Sequence, residues 1–306
     1  MIILSKTKGS PVVQDIDKID RIEYQSGSVY EGEVFDGWRD GLGTLTLSYG
    51  SSRHGYWRED HPVGRGTFFW PDGRFWTGYW VDGKKQGKGI LTLPSGNSFE
   101  CEGSGQSLDL RSLKAFNQGR DYGSGTYVGD WKDGKPHGKG YFFNSGGICE
   151  GEWLNGRMHG KGFKLYGDGN QAYSGDFVDW KPHGEGVMTA DWNCRLFHLR
   201  EYRGSFENGQ PHGQGSCITF KNSVIDGCFV GGKLDGLGTM TGSDGAIYRG
   251  NFSNNMFNGM GKMTLPDGRA YEGEYKDDKL HGKGKIISAD GEVTYGHWDN
   301  GKLTSG

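Results

Sequence analysis

Residues 127–140 read YVGDWKDGKPHGKG: a Tyr-x-Gly-x-Trp run, a turn at Gly134, then the paired glycines Gly138 and Gly140. The same pattern returns as YEGEVFDGWRDGLG from Tyr30, WTGYWVDGKKQGKG from Trp76, CEGEWLNGRMHGKG from Cys149 and YSGDFVDWKPHGEG from Tyr173. It continues as YRGSFENGQPHGQG from Tyr202, IDGCFVGGKLDGLG from Ile225, YRGNFSNNMFNGMG from Tyr248 and YEGEYKDDKLHGKG from Tyr271, with a weaker copy, RHGYWREDHPVGRG, from Arg53. The commonest step between copies is 23 residues, so the chain is an array of one repeated unit and not a conventional globule.

Each unit has a physical reading. Tyr127, Gly129 and Trp131 stand at i, i+2 and i+4, which places them on one face of a strand, and the bare glycine leaves room for flanking rings. The intervening positions are polar (Glu31 and Glu33, Glu150 and Glu152, Glu272 and Glu274), so the opposite face is expected to meet water. After the paired glycines comes a second alternating run, such as Leu91/Leu93 or Met263/Leu265, closed by PDG, PSG or SDG turns. One unit is thus a two-stranded hairpin, marginal alone and stable only when stacked. The expected fold is all-β: an elongated, twisted, single-layer antiparallel sheet of stacked hairpins of about 23 residues, rising roughly 10 Å per unit to on the order of 100 Å.

The period divides the chain. Residues 1–29 form an N-terminal segment and half-repeat cap, residues 30–103 a first array, residues 104–126 an insertion, and residues 127–306 a second array ending in another half repeat. In the insertion, Leu110, Leu113 and Phe116 are spaced for a short helix. A second interruption near 187–201 holds Trp192 and Phe197. Loops on a regular scaffold are where binding residues tend to lie, so these five join the candidate partner-binding set. The aromatic face supplies the remainder: Trp57, Trp76, Trp80, Tyr127, Trp131 and Trp153, should part of it stay open as a groove.

Composition agrees. There are 58 glycines and only 33% apolar residues, yet 10 Trp, 15 Tyr and 16 Phe, which disordered chains lack. A net charge of −3 offers no bulk attraction for nucleic acid. Five cysteines without a CxxC pattern suggest reduced thiols in the cytoplasm. Basic residues gather by unit position near the hairpin turns (Lys84, Lys85, Lys135, Lys139, Arg157, Lys161), a candidate edge for acidic surfaces or lipid headgroups.

Other chemistries fit poorly. GDWKDGK, from Gly129, mimics a phosphate loop, but Pro136 stands where a magnesium-binding hydroxyl is required. His137, His159, His183, His212 and His281 hold one position in five units, about 10 Å apart, too far to share a zinc ion. No residues emerge as catalytic or metal-binding, and no cofactor is expected.

The unit resembles the MORN repeat, over about residues 21–303 and best from Tyr127, Cys149, Tyr202 and Tyr271. The resemblance implies a twisted β-sheet scaffold for protein–protein interaction, of the kind found in ciliary radial spokes, other axonemal structures, cytoskeletal rings and membrane tethers. It implies protein partners, self-association among them, a cytoplasmic or axonemal location, and a lipid-bound role as the alternative. Some MORN proteins carry an enzyme domain after their repeats; only five residues follow Gly301, so none is expected here. Arg53, Val34 and Trp180 depart from the pattern, as does the unit at Phe99.

Overall fold

The computed structural model describes residues 20–115, 119–167, 169–190 and 199–305. Among them every regular element is a strand. The chain divides into two compact units, 1–116 and 117–306, each with its own sheet. The first sheet contains β1 (Asp20–Glu23), β2 (Val29–Phe35), β3 (Trp38–Thr46), β4 (Ser52–Arg58), β5 (His61–Phe69), β6 (Phe75–Val81), β7 (Lys84–Thr92), β8 (Ser98–Gly105) and β9 (Ser107–Ala115). The second begins with β10 (Arg120–Tyr122), β11 (Gly125–Lys132), β12 (Lys135–Asn144), β13 (Gly147–Leu154), β14 (Arg157–Tyr166), β15 (Gln171–Val178), β16 (Lys181–Ala190), β17 (Leu199–Glu207) and β18 (Gln210–Thr219). It continues through β19 (Val224–Val230), β20 (Lys233–Thr241), β21 (Ile247–Ser253), β22 (Met256–Thr264), β23 (Ala270–Lys276), β24 (Lys279–Ile287), β25 (Val293–Asp299) and β26 (Lys302–Ser305). In both sheets spatial order is sequence order, and every neighbouring pair whose register is defined is antiparallel.

The hairpin unit is as the sequence implies. Asp133 and Gly134, with φ of 48° and 72°, turn β11 into β12, the two positive φ values that a tight hairpin turn requires. Turns of successive units are stitched together, since the Gly156 amide donates to the Pro136 carbonyl at 2.8 Å and the Gly209 amide to that of Pro182 at 2.9 Å. Each second strand also carries a bulge: Gly129 pairs with Gly140, but Trp131 pairs with Pro136, so His137, Gly138 and Lys139 oppose the single residue Asp130. The Asp130 carboxylate accepts the freed Lys139 amide at 3.0 Å, and Asp176 does the same for Glu185 at 3.2 Å. Polar residues at this position therefore close the bulge as well as meeting solvent.

Register turns the repeated glycines into a line. From Gly129 and Gly140 through Gly151, Gly162, Gly175 and Gly186, glycine pairs with glycine across every strand as far as Gly284 and Gly296. Over this bare furrow lie the tyrosine rings. An alanine Cβ at Gly186 would fall on the Tyr173 ring, and one at Gly215 on the Tyr202 ring. The hydroxyls of Tyr173, Tyr202 and Tyr248 donate to the carbonyls of Asp176, Ser205 and Asn251 at 3.0, 3.0 and 2.9 Å. Each of these three tyrosines meets one ring of its own unit and one of the next edge-on; Tyr202 lies 5.0 Å from Phe206 and 4.9 Å from Phe229. Such pairs each add about 1 kcal/mol beyond simple burial.

Three expectations change. The single long sheet is two, β1–β9 and β10–β26; in the first, the glycine line ends where Cys101 stands opposite Gly89, one strand before the sheet's edge. Of the helix expected within the insertion on Leu110, Leu113 and Phe116, Phe116 lies outside the described residues; over Ser107–Ala115 the chain is strand β9, which completes the hairpin begun by β8. There Glu100 pairs with Lys114 but Glu102 with Asp109, so a bulge lies between Leu110 and Leu113 and shifts the strand's phase. A strand with a bulge can thus imitate helical spacing; the Ser112 hydroxyl accepts the Glu102 amide at 2.7 Å to close it. Finally, the face assigned to water is buried along β12–β15, where Tyr141, Ile148, Phe163, Leu165 and Ala172 lie opposite the tyrosine side.

Candidate interaction surface

The tyrosine side, proposed from sequence as a partly open groove, is largely consumed by the fold. Trp57, Trp76, Trp80, Tyr127, Trp153 and Leu110 are all at most 3% exposed. Trp131 is half-buried, edge-on to Tyr122 and Tyr127, and Leu113 is half-buried in β9. Phe116, Trp192 and Phe197 fall outside the described residues. Burial also acts on the phenols, pushing those of Tyr30, Tyr127 and Tyr248 up to about 12.

The basic edge does not form one patch. Lys84, Lys135 and Arg157 are exposed just after their hairpin turns, and Arg157 pairs with Asp179 at 3.0 Å. Lys139 and Lys161 stand instead on the flat of the sheet, opposite Glu152 and Asp176, with Lys161 Nζ 2.7 Å from the Asp176 carboxylate. Lys85 is a correction: it is 3% exposed, its ammonium donates to the Gln106 carbonyl at 2.8 Å, and it lies 4.4 Å from the Phe68 ring centre. Its neighbour Lys84 takes the outward position, so strand alternation separates the two lysines that sequence proximity had grouped.

What remains open is the opposite face and turn edge of the first sheet. Among the described residues the exposed aromatic side chains are Phe35, Trp38, Tyr56, Phe69, Tyr79 and Tyr295, and all but the last belong to this sheet. Register places Leu42 beside Tyr56, Arg65 beside Tyr79, Thr67 beside Thr77, and Phe69 beside Phe75. The Phe69 and Phe75 rings lie 5.5 Å apart, and the Thr67 and Thr77 hydroxyls 3.0 Å. Phe35 and Trp38 flank the first hairpin turn. The result is a surface of tyrosine, phenylalanine, threonine and arginine, the amphipathic mixture enriched at protein interfaces. The sequence signal was present but slight: Tyr56 and Tyr79 occupy the unit position that holds Glu33, Asp130, Glu152 and Asp176 elsewhere.

A family model for the MORN repeat matches ten segments, 30–51, 54–73, 76–98, 127–148, 149–171, 173–195, 202–223, 226–247, 248–268 and 271–293. The chain belongs to the MORN-repeat family, whose repeats mediate protein or membrane interactions and act in general as non-catalytic scaffolds. The comparison with curated proteins found no match. Among solved structures it is similar to the TCP10 domain of Danio rerio CPAP in its E1021V mutant form, with 10% identity, 91% of this chain and 99% of that one covered, and a TM-score of 0.23. It is also similar to the Drosophila melanogaster SAS-4 TCP domain in complex with a proline-rich motif of Ana2, at 12% identity, 70% and 85% coverage and a TM-score of 0.18. A virginiamycin B lyase from Staphylococcus aureus follows at 10% identity, 94% and 86% coverage and 0.15. Scores this low carry no argument about this chain.

Proposed function

We propose that this chain is a non-catalytic scaffold that holds a protein partner on the exposed aromatic face of its first sheet, within a cytoskeletal assembly such as an axonemal radial spoke. The observation that supports the binding half is the placement of Tyr56, Phe69 and Tyr79 on one open sheet face, while the rings of the tyrosine side are used by the fold. The cytoplasmic, axonemal setting rests on the resemblance alone. The rival role, a peripheral tether on phosphoinositides, is weakened by the dispersal of the basic residues over two faces and a core. Repeated units also space their histidines and carboxylates evenly, which favours a structural role over a converged active site.

The test is proximity labelling of the full chain in ciliated cells, comparing wild type with Tyr56→Ser/Tyr79→Ser. The expected result is labelling of axonemal proteins that falls at least several-fold in the variant while soluble protein level is unchanged. Labelling that is indifferent to the two tyrosines refutes the proposed face. Salt-sensitive co-sedimentation with anionic vesicles, lost on neutralising Lys84 and Lys135, supports the tether instead.

A further inference from the structure

The tyrosine side of the first sheet contains a break in its own rule. In this sheet Tyr30 and Trp76 each place a ring over paired glycines, but the unit between them, over Gly55 and Gly66, begins with Arg53. Cys149 and Ile225 open the two ringless units of the second sheet, where Met158 and Leu234 lie over the glycines. An added Cβ at Gly43 would strike Tyr30 and one at Gly89 would strike Trp76, whereas at Gly55 the three nearest atoms are all backbone. At Gly66 the nearest side chain is the rim of Trp80 at 3.3 Å. One ring is therefore missing from the series of this sheet, in the unit that carries an arginine at that position.

That guanidinium lies 3.5 Å from the Trp80 ring centre and 5.6 Å from that of Trp57. It is half-buried, and among the described residues its buried Nε has no hydrogen-bond partner and no carboxylate pairs with it. Its neighbours on this side are committed. Arg39 donates to the Asp60 carboxylate at 2.9 Å, Arg74 pairs with Asp72 at 2.9 Å, and Lys85 donates to Gln106. Among the described residues, these four cations thus meet two carboxylates; Lys85 is met by a carbonyl instead, whereas the Arg53 Nε is met by neither. Desolvation, with the nearby Arg39 charge adding to it, pulls the Arg53 guanidinium down to about 9. Removing a cation from water without a counter-charge is costly, and an incoming anion would offset that cost.

We infer that Arg53, framed by Trp57 and Trp80, is a recognition site for a carboxylate side chain of a partner protein, inserted where the neighbouring units of this sheet place the rings of Tyr30 and Trp76. A carboxylate fits better than a phosphate because a single open guanidinium offers one two-pronged donor face for one negative charge. The flanking indoles exclude water from the pair and so strengthen it. The inference rests on the reading of the chain as a protein-binding scaffold, but uses the side opposite Tyr56 and Tyr79.

The experiment is selection of a displayed random 12-residue peptide library on the full chain, with counter-selection on Arg53→Tyr, followed by calorimetry on synthetic winners. Arg53→Tyr restores the repeat's own residue and so keeps the fold; its thermal midpoint should equal or exceed that of wild type. The expected outcome is winners sharing an Asp or Glu, with at least tenfold loss of affinity when that residue becomes Asn or Gln or when the protein carries Arg53→Tyr. Selection without acidic enrichment, or affinity within twofold in Arg53→Tyr, overturns the proposal. Phosphoserine-containing peptides that bind while their carboxylate counterparts do not overturn it as well. Failure here leaves the labelling result at Tyr56 and Tyr79 untouched, so the two readings fall separately.

Discussion

Replacing Gly215 by alanine should melt the middle of the second sheet locally. The three nearest atoms to the new Cβ all belong to the Tyr202 ring, well inside contact distance. That ring cannot swing aside cheaply, because it is 2% exposed and clamped edge-on between Phe206 and Phe229. Displacing it loses the hydroxyl's bond to Ser205, about 1 kcal/mol, and two ring pairs at about 1 kcal/mol each. The expected loss is about 3 kcal/mol. Gly209→Ala in the same unit is the control: its φ is +90°, but the nearest atom is Pro182 Cδ at 3.9 Å, so only left-handed strain of about 1–2 kcal/mol applies. A repeat array need not unfold as one body, so the measurement is amide hydrogen exchange over β17–β19. Gly215→Ala should speed exchange about 100-fold. In a Tyr202→Ala background most of that effect should vanish. Acceleration below fivefold, or an equal effect in both backgrounds, would refute the ring-over-glycine account.

Other expectations follow from the same geometry. Burial raises Tyr30, Tyr127 and Tyr248 to about 12, above the ordinary value near 10, so the folded state binds more protons between these limits. Their contribution to stability is whole below pH 10 and lost as pH rises through 12; tyrosinate absorbance should appear together with loss of near-ultraviolet dichroism, and a simple titration at pH 10 with the fold intact would contradict this. Cys101, Cys149 and Cys217 are buried, with thiols pushed up to about 12, 11 and 12. In a Cys194→Ser background, a thiol reagent at pH 8 should therefore modify Cys228 well before these three. Trp180 holds a φ of +71° and packs edge-on to Trp153 at 4.9 Å and Phe142 at 5.7 Å. Trp180→Gly relieves about 1–2 kcal/mol of strain but forfeits packing of about 3 kcal/mol or more, so net destabilisation is expected in urea melts, and a stabilised variant would show the strain to dominate.

Much of the fold was legible because a repeat states its rule many times. The spacing of Tyr202, Gly204 and Phe206, the turn at Gly209 and the pair Gly213/Gly215 determine a hairpin locally, through strand alternation and positive-φ glycine. The false helix at Leu110 and Leu113 shows where this fails, since a bulge changes phase without leaving a mark in the composition. The exposed face was less legible: Tyr56 and Tyr79 differ from the acidic residues of other units, but nothing local states that they remain open while Trp57 and Trp80 are buried.

The sequence by itself thus determined the unit, its period and the side each residue takes within a strand, all set by short-range backbone geometry. Only the tertiary structure decided the line of glycines from Gly129 to Gly296, the burial of Lys85 beside the outward Lys84, the ending of the first sheet at β9, and the unpaired charge of Arg53. Each depends on register between strands and on which rings and charges meet across it, and those are contacts between residues from different units.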